Sequence, residues 1–173
     1  NTKVTRIRHN GDRITGVDTD DGSIDADYVV ICGGMWTRDL AASVGVAAPL
    51  HACEHYYVLF EGVEGIDNTL PVLRDYDYCG YYKYDAGKLL VGAFEPNARP
   101  WGMDGISEDF CFDEIAGSFE HFEPLLIDAM RRVPALEKAG IQKFFCGPES
   151  FTPDVRYHLG ESAELKGCFV AAG

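Results

Sequence analysis

The chain has 173 residues and a mass of 19.1 kDa, with 46% hydrophobic and 25% charged side chains. That balance excludes global disorder and leaves room for one domain or slightly more. Lys and Arg number 15 against 28 Asp and Glu, a net charge of -13, which repels phosphate backbones and argues against nucleic acid as a partner.

No apolar run approaches the ~20 residues that span a bilayer, and no basic start followed by an apolar stretch suggests a secretory signal. A membrane is therefore not an expected partner. The six cysteines, Cys32, Cys53, Cys79, Cys111, Cys146 and Cys168, form no C-x-x-C pair. They read as reduced structural thiols in a cytoplasmic compartment. The chain opens on Asn1-Thr2-Lys3 without an initiator Met and stops on the apolar Cys168-Phe169-Val170-Ala171-Ala172-Gly173. Both ends lead to the expectation of a fragment of a longer protein.

In chain order, residues 4–8 and 13–19 are strand candidates joined by Asn10-Gly11, a favoured hairpin turn because both residues tolerate positive φ. Asp21-Gly22 marks the next turn, and 23–26 a third strand. The apolar run 28–32 lacks alternation, as expected of a strand covered on both faces. It leads through Gly33-Gly34-Met35-Trp36 into a short helix over 37–43, the place where an α/β sheet positions a ligand. Residues 51–61, 70–74, 80–84 and 88–94 read as strands, the last two joined through Asp85-Ala86-Gly87 in an antiparallel pattern.

The strong helical signal begins at Phe122, with Leu125, Leu126, Ala129, Met130 and Val133 on one face. Pro124 suits its first turn and Pro134 its end, and 110–121 are expected to be helical as well. Strands over 141–146 and 167–172 complete the reading: a mixed α and β chain with a tyrosine-rich antiparallel sheet.

His51-Ala52-Cys53-Glu54-His55 is the sharpest local constellation. On a strand, positions 51, 53 and 55 share a face and offer two imidazoles and a thiolate to a zinc ion. A structural zinc site needs four ligands and no second cluster is visible, so polar side chains facing a cavity or solvent are the expected role, with no metal. Tyr56, Tyr57, Tyr76, Tyr78, Tyr81, Tyr82 and Tyr84 suit a pocket wall or ordinary sheet packing. There is no G-x-G-x-x-G, P-loop or G-x-S-x-G.

Four segments together resemble the glycine oxidase and dimethylglycine/sarcosine dehydrogenase branch of the FAD-dependent amine oxidoreductases, the family of D-amino-acid oxidase-like enzymes. They are Ala26-Asp27-Tyr28-Val29-Val30-Ile31-Cys32-Gly33-Gly34-Met35-Trp36, then Pro49-Leu50-His51-Ala52-Cys53-Glu54-His55-Tyr56-Tyr57-Val58. Leu70-Pro71-Val72-Leu73-Arg74-Asp75 follows, with Tyr81-Tyr82 and Leu90-Val91-Gly92-Ala93-Phe94-Glu95-Pro96. The last runs from Gly147-Pro148-Glu149-Ser150-Phe151-Thr152-Pro153-Asp154 through Gly160-Glu161 to Gly167–Gly173.

The resemblance implies an α+β chain in which residues 47–146 form an antiparallel substrate-binding domain with helices packed on one side. Residues 1–46 and 147–173 would be partial segments of an FAD-binding α/β domain, and the missing N- and C-terminal parts of the same chain would be their partners. It implies FAD in the parent protein and an isolated chain that holds none and is inactive. By position, Val4, Gly34, Trp36 and Gly173 correspond to cofactor-binding residues. His55 and Tyr81 correspond to the catalytic pair that orients the amine of a dimethylglycine- or sarcosine-like substrate and assists its deprotonation. Arg74 and Lys83 are both candidates for the counter-ion of the substrate carboxylate.

Three departures stand out: Cys32-Gly33 replaces a usual alanine pair, Tyr56 a common Gln, and Val155 the Gly after Pro153-Asp154. The alternative from another class is a non-catalytic ligand-binding or protein-interaction module with a tyrosine-lined sheet.

Overall fold

A computed structural model describes residues 2–173. The chain divides into two compact units. One comprises the stretch ending at Ala52, with Trp101–Ser107 and Glu149–Gly173; the other comprises Cys53–Pro100 and Glu108–Pro148.

The first unit begins with an antiparallel meander of β1 (Val4–His9), β2 (Ile14–Thr19) and β3 (Gly22–Asp25). The expected Asn10-Gly11 turn is present, but only Gly11 takes positive φ, at 102°. Asn10 contributes through its side chain, whose Oδ1 accepts from the Arg13 backbone N–H at 2.9 Å. A second sheet sets β4 (Val29–Ile31) parallel to β11 (Cys168–Ala172), with β10 (His158–Glu161) antiparallel on the other side of β11. After β4 a single 3-10 turn over Gly34–Trp36 runs into α1 (Thr37–Ala42). Ile7, Ile14, Ile31, Val46, Leu50, Leu165 and Val170 form the core. Within these residues the 28–32 run is covered on one face. Ile31 is buried, yet Val30, on the opposite face of the strand, is 58% exposed.

The second unit is a sheet in the order β6-β7-β8-β5-β9 with one long helix. Its strands are β5 (His51–Glu61), β6 (Leu73–Asp75), β7 (Gly80–Asp85), β8 (Lys88–Ala93) and β9 (Gly140–Phe151). The ladders β6–β7, β7–β8 and β8–β5 are antiparallel. Alternation sends Tyr56, Val58 and Phe60 of β5, Tyr82 of β7 and Leu89 and Val91 of β8 to one face. There α2 (Phe119–Arg132) packs Phe122, Leu126 and Ala129 against them. Each large side chain so buried stabilises the unit by about 1.5–3 kcal/mol.

The helix starts later than residues 110–121 suggest. Gly117 passes so close to β9 that a Cβ there would lie 2.8 Å from Cys146 Cβ and 3.0 Å from rings of Phe144 and Tyr56. That contact, with the Ile115 N–H donating to Cys146 O at 3.0 Å, holds the approach extended. Ser118 then caps the helix, its Oγ accepting from His121 N–H at 3.2 Å. Consequently Pro124 stands inside α2 rather than in its first turn. It deletes one backbone bond on the exposed side.

The far end of α2 is tied to the sheet by Arg132, whose Nε donates to the buried Asp75 at 2.5 Å. Arg132 holds the Asp75 carboxyl below the usual carboxylate range. Among the described residues no helix is long and apolar enough to cross a membrane.

Candidate active site

The face of the sheet opposite α2 carries a different set of side chains. Strand register places Arg74 of β6 opposite Tyr81 of β7, Tyr81 opposite Gly92 of β8, and Gly92 opposite Tyr57 of β5. The row continues onto β9, where the Phe145 ring stacks on Tyr57 with centroids 4.4 Å apart. One line of residues thus crosses all five strands of the sheet.

His55 lies beside this row. Two residues before Tyr57 on β5, it shares that face. Its Nε2 is 2.9 Å from Tyr81 Oη, and its ring stacks on Phe94 at 4.5 Å. Burial, followed by the positive charge of Arg74, lowers the imidazole pKa from 6.5 to about 4. His55 is therefore neutral at pH 7. In that form one ring nitrogen donates and the other accepts.

Arg74 is held by ring faces rather than by a carboxylate. Its Cζ is 4.5 Å from the centroid of Phe94 and 5.5 Å from that of Tyr76. Its Nη1 is buried and has no hydrogen-bond partner among the described residues. A buried guanidinium nitrogen without an acceptor costs free energy that an anion placed there would recover. Arg74 and Lys83, equivalent in the sequence, are thereby distinguished: Lys83 is exposed.

The structure thus brings His55 and Tyr81 into direct contact. The tyrosines do not act as one wall, however. Tyr57 and Tyr81 face the site, Tyr56 and Tyr82 enter the opposite core, and Tyr76 is 81% exposed. Tyr56 Oη donates to Glu54 and accepts from Ser118 N–H at 3.3 Å. The substitution for the common Gln therefore serves the helix cap, away from His55. The His51, Cys53 and His55 constellation does not converge: His51 Nε2 lies 3.4 Å from Arg38 Nη1. Among the described residues no group of three or more His, Cys, Asp and Glu is placed to hold a metal. Sequence reading offered Tyr57 only as one of seven tyrosines for a pocket wall and did not single out Gly92, Phe94 or Phe145 as site residues. Cross-strand register identifies Gly92 and Tyr57, and ring contacts identify Phe94 and Phe145.

The cofactor candidates lie in the first unit. β4 and β11 are parallel neighbours, Ile31 opposite Val170, so Gly34 and Gly173 follow their adjacent carboxyl ends. Both take positive φ, 53° and 103°. A Cβ at Gly173 would approach Thr152 Cγ2 to 2.8 Å, whereas Gly34 faces open space. Trp36, two residues on, is 42% exposed, as is Val4 on β1. Crevices at the carboxyl ends of parallel strands are where open α/β sheets bind nucleotides, and two glycines of positive φ there fit the close approach of a flavin. Beyond Asp154, where valine replaces glycine, Val155 takes a glycine-like φ of 58° and is 89% exposed.

The family model described as FAD dependent oxidoreductase (DAO) matches residues 1–173. The chain is 44% identical over 173 residues to 4-methylaminobutanoate oxidase (formaldehyde-forming) of Paenarthrobacter nicotinovorans, covering 100% of this chain and 21% of that protein. It is 41% identical over 161 residues to human mitochondrial sarcosine dehydrogenase, covering 93% of this chain and 17% of that one. The crystal structure of glycine oxidase from Geobacillus kaustophilus superposes with a TM-score of 0.69 at 28% identity, over 99% of this chain and 42% of that chain. The chain thus spans about a fifth of the length of the curated relatives it matches.

Proposed function

The chain belongs to the FAD dependent oxidoreductase family, and on that premise we propose that it carries the substrate-binding face of an enzyme oxidising a small secondary or tertiary amino acid of the sarcosine or dimethylglycine type. The observation that carries this reading is the convergence of one neutral imidazole, one phenol and one unpartnered guanidinium nitrogen on a single aromatic-lined sheet face.

Arg74 Nη1 takes the substrate carboxylate in a charge-assisted hydrogen bond, and the rings of Phe94 and Tyr76 fix the guanidinium plane. Neutral His55 adds no positive charge that would repel the amine. When Tyr81 O–H donates to His55 Nε2, the phenol oxygen keeps lone pairs to accept an amine N–H. A proton leaving the amine has a path through Tyr81 Oη to His55 Nε2. Phe94, stacked on His55 and tilted against Tyr81, covers that contact. Bound FAD supplies the hydride acceptor, and Gly34, Trp36, Gly173 and Val4 are the residues of this chain that would meet it. No glycine-rich phosphate-binding turn occurs in these residues, so the isolated chain is expected to purify without flavin and to be inactive. Its free cysteines support a reducing, cytoplasm-like compartment.

The test is stopped-flow reduction of the flavin in the full-length protein by sarcosine and by dimethylglycine. His55→Ala and Tyr81→Phe should each slow reduction by about 10²–10⁴-fold, the usual scale for a group that moves a proton. Arg74→Leu should weaken apparent substrate binding by about 10–100-fold, as expected of one hydrogen bond to a charged group. Flavin content should be unchanged in all three. Wild-type reduction rates in both the His55 and Tyr81 variants would reject the reading.

A further inference from the structure

Glycine in the interior of a central strand weakens the strand, because it offers no side chain to pack and costs extra backbone entropy. Gly92 is such a residue, paired on both sides within β8. No positive φ requires it, since its backbone lies outside that region. What requires it is space. A Cβ built on Gly92 would stand 2.1 Å from Tyr81 Cζ, 2.2 Å from Tyr81 Oη and 2.6 Å from Tyr81 Cε1. The phenol therefore lies flat across the β8 backbone, in the volume that any other residue would fill.

We propose that Gly92 is a positioning residue: its missing side chain is the seat that lays the Tyr81 phenol down within reach of His55. The inference deepens the proposed function and rests on it for its kinetic consequence. The three nearest atoms all belong to the outer part of one side chain, so a methyl group at position 92 displaces Tyr81 rather than the sheet. Ordinary contact at about 3.5 Å requires the hydroxyl to retreat by more than about 1 Å. The 2.9 Å contact with His55 does not survive such a retreat along its own direction. The fold is kept and the site is lost, which separates Gly92 from glycines needed for a turn.

The experiment is a mutant cycle in the full-length flavoprotein, comparing Gly92→Ala, Tyr81→Ala and the double variant. Gly92→Ala should slow flavin reduction by sarcosine at least tenfold, with normal flavin content. In the Tyr81→Ala background, where no ring needs the space, the same substitution should change the rate by less than about twofold.

A second readout does not depend on turnover. With ¹³Cε1-labelled histidine, and the His55 signal assigned through His55→Gln, the imidazole should titrate near 4 in the wild type. In Gly92→Ala it should move toward the ordinary value of about 6.5 as the covering phenol leaves. Should Gly92→Ala fail to retain flavin, the double variant should regain it. An unchanged His55 titration in Gly92→Ala, an equal slowing by that substitution with and without Tyr81, or a double variant that still lacks flavin would each overturn the proposal. If sarcosine leaves wild-type flavin oxidised while the titration shifts as expected, the substrate reading fails and the positioning role stands.

Discussion

Protonating His55 should destabilise the fold by an amount that can be worked out in advance. The ring is stacked under Phe94 at 4.5 Å, touches Tyr81 Oη at 2.9 Å, and has Arg74 as its charged neighbour. Burial first and that charge second lower its pKa from 6.5 to about 4. In the unfolded chain the imidazole regains its ordinary affinity. Between the two values the unfolded state binds more protons than the folded one, so stability rises with pH in that window and falls as acid is added. Above about pH 6.5 both states are neutral and the contribution is intact. One pKa unit corresponds to about 1.4 kcal/mol, so acidification from neutrality to about pH 4.5 removes about 2–3 kcal/mol through this one group.

The assay is urea unfolding of the wild type and of His55→Gln, followed by circular dichroism at a series of pH values across that interval. Carboxylates and other histidines contribute alike to both proteins and cancel in the difference. The wild type should lose about 2–3 kcal/mol more than the variant. Parallel stability curves would refute the reasoning, because they would mean that the imidazole is already solvated in the folded state.

Two further perturbations test the scaffold. Phe122 is fully buried, with ring centroids 5.9 Å from Tyr56 and 5.6 Å from Phe144, so Phe122→Ala should cost about 3–5 kcal/mol in denaturant unfolding; a loss below about 1 kcal/mol would mean that α2 is peripheral. Val155 is a β-branched residue at φ 58° with no burial to offset the strain. Val155→Gly should therefore stabilise by about 1 kcal/mol, read as a higher melting temperature, and a lower one would show that the valine makes a compensating contact.

Much of the architecture was legible in the sequence because it depends on neighbours along the chain. The turns at Gly11 and Gly22, the strand over His51–Glu61 and the apolar face of α2 follow from local alternation, periodicity and glycine placement. The early start expected for α2 failed because Gly117 is claimed by a contact with Cys146, Phe144 and Tyr56, residues far away in sequence. His55 and Tyr81 could be named from family motifs, but their contact could not be read from composition. Arg74 separates from Lys83 only once register sets Arg74 opposite Tyr81 and shows its Nη1 without an acceptor.

The alternation along β5 has a consequence for how this protein can change over time. Its core side holds Tyr56, Val58 and Phe60, while His55 and Tyr57 project the other way. On the proposed function, selection for abundance in the cell and selection for a new substrate therefore act on interleaved but separate letters of one short stretch. A lineage can remodel the recognising letters while leaving the supporting ones untouched, so divergence in specificity need not pass through unstable ancestors.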